Sequence, residues 1–122
     1  MNKRYVLKKQ HNILKLLTKK QTVGTKSYVV YFKNECENTK IAISASKKVG
    51  NSVERNYEKR VCREIVSQRI RDLENIHMLI VIKNEATKLQ FNEKEAQINY
   101  LINKIIKKKQ MKGEINENKQ NQ

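Results

Sequence analysis

The sequence contains one run, MLIVI at residues 78 to 82, in which every side chain is apolar. A strand that leaves one face to water alternates polar and apolar residues. A continuous run of this length belongs to a strand covered on both faces, in the middle of a sheet. With 122 residues the chain has room for one modest hydrophobic core, so the neighbours of that strand must come from the same domain. YVVYF at 28 to 32 and IAISA at 41 to 45 are dense in β-branched and aromatic residues and supply two more strands. The polar KNECENTK between them predicts an antiparallel pair.

Helical periodicity fills most of the remainder. Ile13, Leu14, Leu16 and Leu17 predict a short amphipathic helix over about residues 9 to 20, ended by KKQTVGTKS. Asn51 or Ser52 can cap the longest helix, whose apolar positions run through Val53, Tyr57, Val61, Ile65, Val66, Ile70 and Leu73. Asn92, with Glu95 three residues on, forms a capping-box pattern ahead of Ile98, Leu101, Ile102, Ile105 and Ile106. The order α, β, β, α, β, α predicts an α+β (α/β sandwich) fold, a small mixed sheet with helices packed on it, as a single domain over residues 1–109. Residues 110–122 are polar and without periodicity, a composition expected to form an unstructured tail. The general rule makes the strand-helix-strand crossover right-handed.

Charge narrows the function. Lys and Arg number 27 against 12 Asp and Glu, a formal net charge of +15, which calls for a polyanionic partner. No stretch reaches the ~18 apolar residues of a membrane span, and charge interrupts the N-terminal hydrophobics, unlike a signal peptide. A cytoplasmic protein with no membrane partner is expected. Cys36 and Cys62 are too few for a disulfide framework and lack a CxxC partner. His11 and His77 stand alone, and no carboxylates recur at metal-ligand spacing, so neither a catalytic residue nor a protein-held metal is expected.

Placement of the cations is more informative than their number, since an abundance of Lys, Asn and Ile is what an AT-rich genome produces unaided. In SKKVGNSVERNYEKRVCRE (46 to 64), Arg55, Lys59 and Arg63 recur every four residues, with Asn56 and Arg60 beside them. At ~100° per residue they share one helix face. Val53, Tyr57 and Val61 are expected on the opposite, sheet-facing side. From Lys47 to Arg63 there are six cations and two anions, Glu54 and Glu58, which are expected to pair with neighbouring cations. Arg forks match phosphate oxygens, Asn56 can donate to a base edge, and Gly50, Asn51 and Ser52 gather at the positive end of the helix, as anion sites do. The competing explanation is a solvated charged face.

The same stretch resembles the signature of the bacterial ribonuclease P protein subunit, K-K-x-G-x-A-V-x-R-N-x-x-K-R-x-x-R. Lys47, Lys48, Gly50, Val53, Arg55, Asn56, Lys59, Arg60 and Arg63 all stand where that pattern requires them. LKKQHNILKLLTKK resembles the family's opening helix, SYVVYF its first long strand and HMLIVIK its penultimate strand, so that the resemblance covers about residues 4 to 106. It implies a left-handed βαβ crossover, against the general rule. It also implies an RNA-binding set of Lys47, Lys48, Asn51, Arg55, Asn56, Lys59, Arg60 and Arg63 that docks on a catalytic RNA subunit, ribonuclease P RNA. On this resemblance that RNA, with Mg²⁺ held mainly by it, removes the 5′ leader of precursor tRNA; no obligate protein partner is implied.

A second site is implied in a cleft between the first helix and the sheet, where Lys8, Lys9, Ile13, Leu17, Tyr28 and Tyr31 would hold the single-stranded leader. The sequence departs from the family here, with Ile13 and Leu17 in place of the usual aromatics, and within the signature, where Tyr57 replaces a basic residue and Ser52 a small Ala. Tyr28 and Tyr31 are three apart in a strand and point to opposite faces, so at most one lines a given cleft, and Tyr31 is favoured. Strand aromatics are as commonly core residues. Alternatives are a ribosomal or other structural RNA-binding protein, a DNA-binding regulator and a protein-only hydrolase.

Overall fold

The computed structural model describes residues 21–34 and 36–118, with 109–118 described in backbone only. The expected N-terminal helix, and with it Lys8, Lys9, Ile13 and Leu17, lies outside the described residues. Four strands, β1 (Gln21–Gly24), β2 (Tyr28–Lys33), β3 (Lys40–Ala45) and β4 (His77–Ile82), and two helices, α1 (Ser52–Ser67) and α2 (Phe91–Asn118), form the described chain. The sheet order is β1-β2-β4-β3.

The apolar run is an inner strand. β4 pairs antiparallel with β2 and parallel with β3. Met78, Ile80 and Ile82 enter the main core, while Leu79 packs on the other face with Ala42, Tyr31 and Val81. Burial on both faces is the reason every position of the run is apolar. β2 and β3, expected to pair directly, are instead separated by β4. The loop between them is tied to the turn before β4: Thr39 Oγ1 donates to Leu73 O at 2.7 Å and accepts from Asn75 N at 3.0 Å. Asn75 there takes a φ of 58°, which asparagine tolerates better than most residues.

β1 was not expected. It is four residues long with one buried side chain, Val23, too short for any periodicity to show. It forms a hairpin with β2, whose turn is held by Thr25: its Oγ1 accepts from Tyr28 N at 3.2 Å and donates to Gln97 Oε1 on α2 at 2.8 Å.

Both helices pack on one face of the sheet around Ile65, Val66, Phe32, Ile80, Leu101 and Ile105. Each such side chain withdrawn from water contributes roughly 1.5–3 kcal/mol. β3, α1 and β4 form a parallel crossover. α1 ends at Ser67, with Ile70 and Leu73 in a following 3-10 turn. Arg69 clamps that turn, donating to Asp72 Oδ2 at 2.7 Å, Asn99 Oδ1 at 2.9 Å and Asn103 Oδ1 at 2.7 Å. α2 starts at Phe91, and Gln90 N donates to Glu93 Oε1 at 3.2 Å. The acid that reaches back is therefore Glu93, not Glu95. α2 runs to Asn118 and is the longer helix; it takes in most of the segment expected to be tail, whose Lys, Gln, Met and Glu residues are good helix formers.

Candidate nucleic-acid interface

α1 is launched by a tight local structure. Lys47–Val49 form a 3-10 turn, Gly50 follows at φ 151°, and Asn51 is the N-cap. Asn51 Oδ1 accepts from Glu54 N at 2.9 Å, and Glu54 Oε1 accepts from Asn51 N at 3.2 Å, a closed capping box. A Cβ on residue 50 would lie 2.8 Å from the Glu54 side chain, so both φ and space require glycine there. The box takes up the N–H groups of Asn51 and Glu54 within the protein itself, so those two donors of the helix start are not offered to an anion. Asn51 is exposed, but its side-chain oxygen is committed to the cap.

The buried stripe of α1 is Glu58, Val61, Cys62, Ile65 and Val66. Val53 and Tyr57, expected against the sheet, are 77 % and 47 % exposed. An i, i+4 line drifts ~40° around the helix at each step, so a line that reaches the core at Val61 has started well outside it. The cations shift correspondingly. Arg60, Arg63 and Asn56 point to solvent with Lys47 and Lys48, while Arg55 and Lys59 are half-buried at the margin. Arg55 donates through Nη2 to Ser52 Oγ at 3.3 Å, and its Nε is buried without a partner.

Neither acid of the stretch neutralises its neighbours, contrary to expectation. Glu54 is turned back into the cap. Glu58 is buried, with Lys94 Nζ of α2 2.9 Å from Oε1 and 3.0 Å from Oε2, only the latter contact having hydrogen-bond angles. Lys94 Nζ also lies 5.2 Å from the centre of the Tyr57 ring, and Arg60 Cζ lies 5.8 Å from it. Among the described residues no acid pairs with Lys47, Lys48, Lys59, Arg60 or Arg63. Arg60, Arg63, Glu64, Ser67 and Gln68 line an open groove of about 440 Å³. Sequence reasoning missed the Tyr57–Glu58–Lys94 cluster, because the partner lies on another helix and no spacing announces it.

The two strand tyrosines part as their spacing requires. Tyr31 is half-buried opposite the helices, in register with Leu79, which is in register with Ala42. Tyr28 is 1 % exposed in the main core, and burial raises its hydroxyl pKa. It has no face left for a base, which removes it from the leader set. Cys62 is likewise inert: burial pushes its thiol up to about 12 against the lowering pull of Arg63. Among the described residues, no three His, Cys, Asp or Glu side chains converge as a metal site would require, and no helix is long and apolar enough to cross a membrane.

Fold and site together define a small mixed-sheet protein with an unneutralised basic helix face, built to hold a polyanion. A family model described as ribonuclease P matches residues 1–106. The chain belongs to this family, the protein components of ribonuclease P, a ribonucleoprotein endoribonuclease whose other part is an RNA. It is 33 % identical over 108 residues to the ribonuclease P protein component of Mycoplasma capricolum, covering 88 % of this chain and 97 % of that one. It is 32 % identical over 108 residues to that of Phytoplasma australiense, covering 86 % and 94 %. Among solved structures, ribonuclease P protein from Staphylococcus aureus superposes with a TM-score of 0.73 at 27 % identity, over 88 % of this chain and 92 % of that one. The Thermotoga maritima protein shares the fold, with a TM-score of 0.71 at 17 % identity over 80 % and 94 %. The element order and the crossover through α1 agree with these structures.

Proposed function

We propose that this chain docks on ribonuclease P RNA through the exposed cations of α1 and the preceding turn, and holds the 5′ leader of precursor tRNA on the sheet face that carries Tyr31. The observation that supports this most is the removal of Glu54 and Glu58 from the strip, one into a cap and one into a buried pair. Lys47, Lys48, Arg60 and Arg63 are left to neutralise phosphates, which lets two polyanionic RNAs approach each other. Tyr31 lies on the face of the sheet opposite α1, so two RNA segments can be held at once, one on each side. Gripping the leader favours precursor over mature tRNA.

Cleavage of the phosphodiester bond is assigned to the RNA subunit, with Mg²⁺ held mainly by that RNA. The described residues offer no donor set that fits the ion. The test is reconstitution with the cognate RNA and a precursor tRNA at low Mg²⁺. The protein is expected to raise the cleavage rate there, where the RNA alone is slow because phosphate repulsion is poorly screened. An unchanged rate at every Mg²⁺ concentration would leave only a structural RNA-binding role. Cleavage by the protein without RNA would assign the chemistry to the chain itself.

A further inference from the structure

Tyr57 is a large ring left half in water on a helix whose neighbouring turns carry the exposed cations. Its neighbours hold it in place: the ammonium of Lys94, itself fixed by Glu58 at 2.9 Å, lies 5.2 Å from the ring centre. Lys94 and Glu58 are both buried, so this contact is rigid. The guanidinium of Arg60, 5.8 Å from the same centre, belongs to an exposed side chain that also lines the groove shared with Arg63 and Ser67. Arg60 therefore joins an aromatic ring to a groove of about 440 Å³ in which two guanidinium groups, Arg60 and Arg63, outnumber the one carboxylate, Glu64; the volume is within the range of small-ligand sites and ample for one nucleotide.

We infer that Tyr57 is a stacking platform for one unpaired base of the RNA that docks on α1, with the adjoining phosphate taken into the groove by Arg60 and Arg63. This rests on the docking reading above and adds to it a contact that is not electrostatic. Every base offers a π-face, so the platform needs no particular sequence. Its ring is pre-oriented by Lys94, so little conformational freedom is lost on binding. Arg60 is exposed and paired with no acid among the described residues, so no ion pair has to break for it to leave the ring for the phosphate as the base arrives. Val53, one turn earlier and almost fully exposed, extends the apolar edge on which the base and sugar would rest.

The test measures the affinity of the full chain for ribonuclease P RNA across a salt series, with variants at residues 57 and 60. Tyr57→Leu keeps an apolar cover over the Glu58–Lys94 pair and removes the π-face. It is expected to weaken binding about ten-fold at every salt concentration, the order of one lost stack, with the slope of log Kd on log salt unchanged. Tyr57→Phe and Tyr57→Trp should bind and melt as the parent does, whereas Tyr57→Leu also loses the contact of the ring with Lys94 and should melt somewhat lower. Arg60→Gln should weaken binding and make the slope shallower by about one. An unweakened Tyr57→Leu beside a weakened Arg60→Gln would overturn the platform and leave the docking face standing. A loss in Tyr57→Leu that comes with a changed slope would also overturn it, assigning the ring to the placement of the cations. Wild-type binding by both variants would reject the docking reading itself.

Discussion

Glu58 on α1 and Lys94 on α2, thirty-six residues apart in sequence, meet between the helices with both side chains buried and the ammonium 2.9 and 3.0 Å from the two carboxylate oxygens. The pair fixes how the two helices lie together and removes one acid from the cationic strip. Breaking it from either side leaves an unpaired buried charge, which costs about 3–5 kcal/mol. Glu58→Ala and Lys94→Ala are each expected to lower the urea midpoint steeply. The double variant Glu58→Leu with Lys94→Met is expected to recover most of the loss, because replacing both charges by apolar volume removes the desolvation cost as well. A double variant as unstable as the singles would show that the pair itself is indispensable.

Gly50→Ala is expected to destabilise the protein by about 1–3 kcal/mol, the cost of holding a side chain in a sparsely allowed conformation. The added methyl would also collide with Glu54 at 2.8 Å and open the capping box. Thermal melting followed by circular dichroism would report the loss. Glu54→Ala, which opens the box without backbone strain, should lose about 1 kcal/mol or less.

His77, half-buried at the start of β4 with Nε2 2.9 Å from Asn38 Oδ1, has its pKa lowered by burial, then by Lys33 and Lys40. The unfolded chain, with a value near 6.5, therefore takes up a proton at a higher pH than the folded one does. Its contribution to stability is complete above about pH 6.5 and declines as the pH falls below that value. Urea midpoints at pH 7.5 and 5.5 should differ more in the parent than in His77→Gln. Equal differences would remove His77 as the source.

Arg63→Ala and Lys48→Ala are expected to weaken holoenzyme assembly and to make its salt dependence shallower by about one each, the signature of lost phosphate contacts. Tyr31→Ala should leave assembly unchanged and weaken precursor tRNA selectively over mature tRNA. Gel-shift affinities for the RNA alone and for the assembled holoenzyme separate the two effects. Parallel losses of both affinities in Tyr31→Ala would place that ring outside any leader site.

Much of the fold was legible because it depends on local chemistry. The continuous apolar run had to be an inner strand, Asn51 was one of two caps available ahead of a periodic helix, and Tyr28 and Tyr31 differ in parity. The cations at 47 to 63 were legible as a strip for the same reason, since spacing along one helix sets which side chains share a face.

Tertiary packing alone decided the rest. Periodicity says that α1 has an apolar stripe but leaves its phase to whatever packs against it. The sheet and α2 set a stripe that buries Val61, Cys62, Ile65 and Val66 together with Glu58 and exposes Tyr57, with Lys94 of α2 in reach of the buried carboxylate. Strand neighbours were equally hidden, since pairing depends on contacts distant in sequence and β4 could enter between β2 and β3 without leaving a mark on either. A side chain's type and spacing are local properties, whereas its partner and its exposure belong to the assembled core.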